Sequence, residues 1–387
     1  MALVIYAGLG EELTTYRVDP ATGGLERLGS VRLPAEVQYA VPDATGDHLF
    51  VASSNRNNEG SPNGSVHHFA TFRIAADTGL LTPLGQPRPL PDRPIHLTVD
   101  ADAKYLLVAF SSPASLRVYK VNTDGTPGDE VHQAKAIQPG IYPHQVRVTP
   151  DGKQVILVSR GHNPRSGKPE EPGCLKVFDF AGGQLRNEIS VEPNGGFGFG
   201  PRHLDFHPNN TWIYVSLERQ NKLQMFTRSN GRVSEQALFT REALVDPSAT
   251  ARRQLVGTVR VHPNGRFVYM ANRGDATHDE GEQKVFAGGE NNLAVYVIDQ
   301  ATGAPELIQH VDTGGIHCRN FQLDPSGQIM AASHVQAIKV RQGGEIVTIP
   351  PRISLFRVGD DGLLTLLKSH DIDTAGRRIF WMGLQAL

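Results

Sequence analysis

The chain has 387 residues, with 38 Lys and Arg against 40 Asp and Glu and a formal net charge of −2 at pH 7. So even a balance gives no field that would steer it to nucleic acid or to an anionic membrane surface. Its two cysteines, Cys174 and Cys318, are too few for a disulfide framework or a zinc ribbon and read as reduced thiols.

The N-terminal stretch MALVIYAGLGEELTTYRVD has no basic segment ahead of its short apolar run. That run falls far below the roughly 20 residues that span a bilayer, and no other run approaches that length. A soluble, cytoplasmic chain is expected. Leu3–Leu9 and Leu13–Val18 read as strands. From there the chain repeats. A hairpin of two strands joined by a Pro/Asp/Asn/Gly turn recurs at Val41–Ser54, Val99–Ser112, Val148–Gly161, Phe206–Arg219, Val261–Gly274 and Leu323–Val335. The interval is about 50–62 residues, in the range of propeller repeats. A third alternating strand follows each hairpin (SVHHFATFRI, SLRVYKV, CLKVFDF, KLQMFTR, NLAVYVID, ISLFRV), then a turn and a short fourth strand. Gly (40) and Pro (26) recur at turn positions, not in one linker block.

Six such units leave Leu3–Leu9 and Leu13–Val18 as second and third strands without a first. Gly376–Leu384, GRRIFWMGL, resembles the first-strand segments GPRHLDFHP and HCRNFQLDP. Pairing it with the N-terminal strands closes a seventh blade and leaves no open sheet edge. The expected fold is all-β: a seven-bladed propeller of four-stranded antiparallel blades, forming one domain over residues 1–387. Its blades span 1–34 with 376–387, then 35–91, 92–138, 139–197, 198–253, 254–314 and 315–375. A tandem of β-sandwiches is the rival, and it does not explain the period. Val233–Leu244 has room for one helical turn at most.

In a blade, the start of the first strand and the end of the second lie side by side near the axis, because the hairpin goes out and returns. Counting back from the turn proline, the starting position holds Glu36, His144, Arg202, Gly257 and Arg319. His96, His203, His317 and Asn320 are neighbours, with Arg377 and Arg378 on the closing strand. Counting forward, the ending position holds Arg160, Glu218 and Arg273, and His334 lies near it. Positions that only pack would be apolar or small, so these ionisable residues are expected to converge on one site. The loops Asn55–Gly64, Gly161–Gly173, Gly274–Asn291 and His334–Pro351 fall on the same face. As long polar loops with no strands of their own, they are expected to wall a pocket.

YPHQVRVTPDG, GPRHLDFHPN and HCRNFQLDPSG resemble the repeated signatures of the seven-bladed propeller lactonases, a family that includes a class of 6-phosphogluconolactonase and the fungal carboxymuconate lactonising enzymes. The resemblance covers essentially the whole chain. It implies a site lined by a His of the Pro-His segment, an Arg of the Gly-Pro-Arg-His segment, a Glu after the next strand and an Arg one blade on. Here those are His144, Arg202, Glu218 and Arg273. Arg219, where the family often has a small polar residue, and the long acidic loop Gly274–Asn291 depart from the pattern.

Opening a lactone needs a base for water, a stabiliser for the tetrahedral oxyanion and an acid for the leaving alkoxide. His144 and Glu218 are both candidate bases. Arg202 and Arg273 are candidates for holding the oxyanion or a substrate carboxylate or phosphate. Arg160, His203, Arg319, His96, His317 and His334 are candidates for substrate contact. No metal motif is present, and arginines at these positions would repel a cation, so neither cofactor nor metal is expected. The expected function is hydrolysis of a small acidic or phosphorylated sugar lactone. The alternatives are cycloisomerisation of a muconate-type diacid and a non-catalytic protein-interaction propeller. The last lacks WD-type signatures and leaves the Arg–His cluster unexplained.

Overall fold

In the computed structural model, which describes residues 2–56, 64–249 and 252–387, the most apolar segments become the second strand of each sheet. His48–Ser54, Tyr105–Ser111, Gln154–Ser159, Trp212–Leu217, Phe267–Gly274 and Ile329–His334 are each paired along both edges. A strand covered on both faces has no polar side, so these segments lack the alternation of their neighbours. In Tyr105–Ser111, Leu107 and Ala109 pack towards one flanking sheet while Leu106, Val108 and Phe110 pack towards the other.

Seven antiparallel sheets result. Their innermost strands, in ring order, are Ile379–Ala386, Val37–Pro42, Pro94–Val99, Pro143–Val148, Pro201–Phe206, Gln254–Val261 and Cys318–Leu323, which define blades 1 to 7. The N- and C-terminal segments build blade 1 together, with Leu3–Leu9 pairing antiparallel to Ile379–Ala386 and Leu3 opposite Ala386. In blade 5 the outer strand is split into Arg232–Val233 and Phe239–Glu242, joined by bends, so Val233–Leu244 carries no helical turn.

The apolar core is seven wedges, one between each pair of adjacent blades. Tyrosines pin some of these wedges. Tyr6, Tyr214 and Tyr269 each donate a hydroxyl to the carbonyl of a turn glycine in the next blade: Gly79 at 2.7 Å, Gly303 at 2.8 Å and Gly362 at 3.0 Å. All three glycines have positive φ, and a Cβ at Gly303 would lie 2.7 Å from Trp212, so both backbone and space demand glycine there.

Two of the expected structureless loops carry strands. Within Gly274–Asn291, Thr277–Glu280 pairs with Gln283–Phe286; within His334–Pro351, Ile338–Gln342 pairs with Glu345–Ile349. Val285 pairs in parallel with Lys339, joining the hairpins of blades 6 and 7 into one small sheet. The Gly343–Gly344 pair is itself a two-residue hairpin signal, masked in the sequence by the surrounding charge.

Candidate active site

Each innermost strand carries a β-bulge just inside its start. The residue without a cross-strand partner is Gln38, Ile95, His144, Arg202, Arg319 or Phe380, and in blade 6 Gly257 and Thr258 together face Ala271. A bulge turns one side chain out of the alternation, and here it does so at the same level in all seven blades. The alignment corrects one register: Pro42 lies inside its strand, so Gln38 and not Glu36 is the equivalent of His144 and Arg202. Glu36 instead holds Arg378 at 2.8 Å.

Leu217 pairs with Pro201, which sets Glu218 beside Arg202 as the hairpin geometry required. Glu218 is the hub. Its Oε2 lies 2.7 Å from Arg160 Nη1, and its Oε1 receives Arg273 Nη2 and lies 2.9 Å from Arg202 Nε. Arg160 and Glu218 directly follow the second strands of blades 4 and 5, and Arg273 lies at the end of that of blade 6, so ring order alone brings them together. Glu218, Arg202 and Arg273 are 3%, 1% and 4% exposed, so these charges interact with little screening by water. Burial alone would raise the Glu218 pKa, but Arg160, Arg273 and Arg202 override it and hold the carboxyl well below its ordinary range.

His144, on the bulge of blade 4, is the opposite case. Burial, with Arg202 beside it, pushes its pKa well below the ordinary histidine value, and its Nδ1 has no hydrogen-bond partner. Of the two candidate bases, the imidazole is neutral at pH 7 and the carboxylate is committed to three guanidinium groups.

Positive charge exceeds negative here. Arg319, on the bulge of blade 7, stacks its guanidinium 4.0 Å from the Phe380 ring and makes no ion pair among the described residues. Burial, with Arg273 and Arg93 nearby, lowers its pKa to about 9. Arg93 and Arg378 lie over the same ring at 5.6 and 5.2 Å. Beside Glu218 a cavity of about 420 Å³ opens, walled by Arg160, Arg219, Arg252 and Arg253 with Asn163 and Asn221. Arg219, the departure noted in the sequence, is pushed down to about 10 by burial and by Arg160.

The other histidines divide. His317 Nε2 accepts from Arg273 Nη1 at 3.1 Å, and its Nδ1 lies 3.1 Å from Asp275. His334 Nδ1 meets the Arg352 carbonyl at 3.2 Å. His203 and His96 lie deeper: His144 to His203 is 5.1 Å between rings, His203 to His96 is 6.2 Å, and His96 stacks on Tyr39 at 3.8 Å. His96 therefore faces the channel below the arginine cluster. In SRGHNPR, Arg160 lies over the Tyr142 ring at 4.2 Å and His162 pairs with Glu171 at 2.8 Å. Residues 57–63 of the Asn55–Gly64 loop lie outside the described residues.

Sequence reasoning missed Phe380, Tyr142 and Asp275. Phe380 had a signal, because it occupies the bulge of GRRIFWMGL. Tyr142 had none. Tyr142 and His317 each sit just before an innermost strand, with φ of 56° and 62°, where blade 5 uses Gly200 at 49°. Left-handed backbone at non-glycine residues is uncommon and clusters at sites where position matters.

Burial holds His96, His144 and His203 well below the ordinary histidine pKa, and His334 at about 4. In the unfolded chain each titrates near 6.5, so below that pH the unfolded state takes up protons that the folded state refuses. Stability should fall as pH drops from 6.5 towards 4, with about 3 kcal/mol from His334 alone at the lower limit. Urea midpoints at pH 7.5 and 5.0 measure this, and His334→Gln should narrow the difference. Equal narrowing by an exposed-histidine variant such as His278→Gln would refute the assignment.

Comparison with known proteins agrees with the propeller fold. The chain is 24% identical over 351 residues to a 6-phosphogluconolactonase of Yersinia pestis, covering 88% of this chain and 90% of that one. Its fold matches the periplasmic gluconolactonase of Pseudomonas aeruginosa with a TM-score of 0.72 at 22% identity, over 100% and 99% of the two chains. A putative 6-phosphogluconolactonase of Bacteroides fragilis gives 0.71 at 19% identity, over 99% and 98%. Residues 5–342 match the family described as "Lactonase, 7-bladed beta-propeller", and the chain belongs to this family of lactonases.

Proposed function

We propose that the chain hydrolyses a small anionic sugar lactone, a phosphorylated aldonolactone above all, without a metal ion. The observation that carries this reading is the charge count at the mouth: one buried carboxylate, Glu218, against Arg202, Arg273 and Arg319. Guanidinium groups in excess and partly desolvated favour an anion that completes their neutralisation. The Yersinia relative bears the name of an enzyme for such a substrate.

In this reading neutral His144 takes a proton from water, whose oxygen attacks the lactone carbonyl. Arg202 and Arg273, fixed by Glu218, stabilise the tetrahedral oxyanion. Collapse breaks the bond to the ring oxygen, which leaves with the proton held on His144, and the product is the open-chain acid. Arg319 and Arg160, with Arg219 behind them, hold the substrate's phosphate or carboxylate. The donor set is poor for a cation: among the described residues no three His, Cys, Asp or Glu side chains gather as a metal site.

A panel of lactones followed by proton release, corrected for spontaneous hydrolysis, tests the reading. 6-Phosphogluconolactone should exceed gluconolactone in kcat/KM by at least about tenfold, the effect of one added charge-assisted contact. EDTA treatment should leave the rate unchanged. No acceleration of any aldonolactone would refute hydrolysis, and lactonisation of a carboxymuconate under the same conditions would establish the cycloisomerase instead. Loss of activity in EDTA, restored by a divalent cation, would refute metal independence.

A further inference from the structure

The axial channel has a second mouth, at the far ends of the innermost strands. There the penultimate strand residues, among them Thr98, Arg147, Asp205, Arg260 and Gln322, line a cavity of about 420 Å³ separate from the one beside Glu218. Its charges do not cancel. Asp205 is fully used: one carboxylate oxygen lies 3.0 Å from Arg147 Nη1 and the other accepts the Val261 amide at 2.9 Å. Arg260 is left as the second guanidinium for that single carboxylate: Tyr39 hydrogen-bonds its side chain and Asp205 lies near it, but its buried Nη1 has no hydrogen-bond partner.

His96 gives an independent indication. It lines the same cavity, is 2% exposed, and has no partner on either ring nitrogen. Burial, with Arg147 and Arg260 nearby, keeps the imidazole neutral, so it offers one donor and one acceptor. Buried polar groups are satisfied in native proteins, by water or by a ligand. Water would satisfy His96 but would leave two guanidinium groups sharing the one carboxylate of Asp205. The flat rings of Tyr39 and Trp381 form part of the wall.

We propose that this far mouth is a second ligand site, taking a small hydroxy-carboxylate monoanion whose carboxylate lies on Arg260 and whose hydroxyl groups meet His96, Gln322 and Thr98. One surplus positive charge matches one carboxylate, and the volume suits a sugar-acid-sized molecule. A dianionic phosphate would overcompensate and leave the neutral donors and aromatic walls unused.

Calorimetric titration with sodium gluconate, against sodium chloride at equal ionic strength, tests this. Because the near mouth should also bind the acid that lactone opening releases, the wild type is expected to take two gluconates per chain and Arg260→Met one, with kcat/KM for the lactone unchanged within about twofold. One gluconate in the wild type and none in Arg260→Met would keep the far site and remove the reading of the near mouth. Equal numbers in the two proteins would overturn the far site. Phosphate displacing gluconate from the far site with equal affinity would overturn the hydroxy-acid assignment. If Arg260→Met does not fold, Arg260→Gln is read in the same way.

Discussion

Glu218→Gln is expected to lower kcat/KM for the lactone by at least about a hundredfold and to destabilise the fold by about 3–5 kcal/mol. The side chains are isosteric, so the change removes charge and little else. Three guanidinium groups, from Arg160, Arg202 and Arg273, then face one another in a buried cluster with no carboxylate between them. Breaking one side of a buried ion pair leaves the partners' desolvation uncompensated, which is why the cost far exceeds that of a surface pair. The rate falls for a related reason, because Arg202 and Arg273 lose the group that aims them. The pH dependence separates this role from that of a base. The Glu218 carboxyl is held well below its ordinary value of 4.5, so its contribution to stability is complete above about pH 5 and is lost only as pH falls towards the depressed folded value. Chemical denaturation and steady-state kinetics of the variant measure both effects. Wild-type stability and rate in the Glu218→Gln variant would dismiss Glu218 as the hub.

His144→Asn should lower kcat by about 10²- to 10⁴-fold, the range for loss of a general base, with stability close to that of the wild type. The imidazole Nδ1 makes no hydrogen bond in the fold, so its removal breaks none, and the ring contact with His203 is the packing that changes. The folded pKa of His144 is depressed, so the base stays in its active, neutral form through pH 7 and 6, and kcat/KM should decline only well below 6.5. The pH–rate profile of the wild type checks this. An acid limb centred at or above 6.5, or a His144→Asn protein at full rate, would move the base elsewhere.

The architecture was legible because its signals are local. The hairpins Val148–Gly161 and Phe206–Arg219 announce themselves by a turn between two apolar strands, and their recurrence implies a ring. GRRIFWMGL could be assigned to the closing blade because it repeats a pattern present elsewhere. Even the grouping of Arg160, Arg202, Glu218 and Arg273 followed from hairpin geometry. The hairpins within Gly274–Asn291 and His334–Pro351 pair locally and were hidden by their charge, and only the join between them, Val285 beside Lys339, depends on a contact one blade apart.

The amino-acid sequence by itself determined the number of blades, their closure and the presence of a cationic mouth, since periodicity and turn chemistry act over one repeat. Only the tertiary structure decided the roles within that mouth. Which side chain each bulge turns out depends on register, as the two-residue offset between Glu36 and Gln38 shows. Whether a carboxylate or an imidazole is free to act depends on how many guanidinium groups the ring brings to it, and at what burial. Those are sums over blades far apart in the chain, and no single repeat contains them.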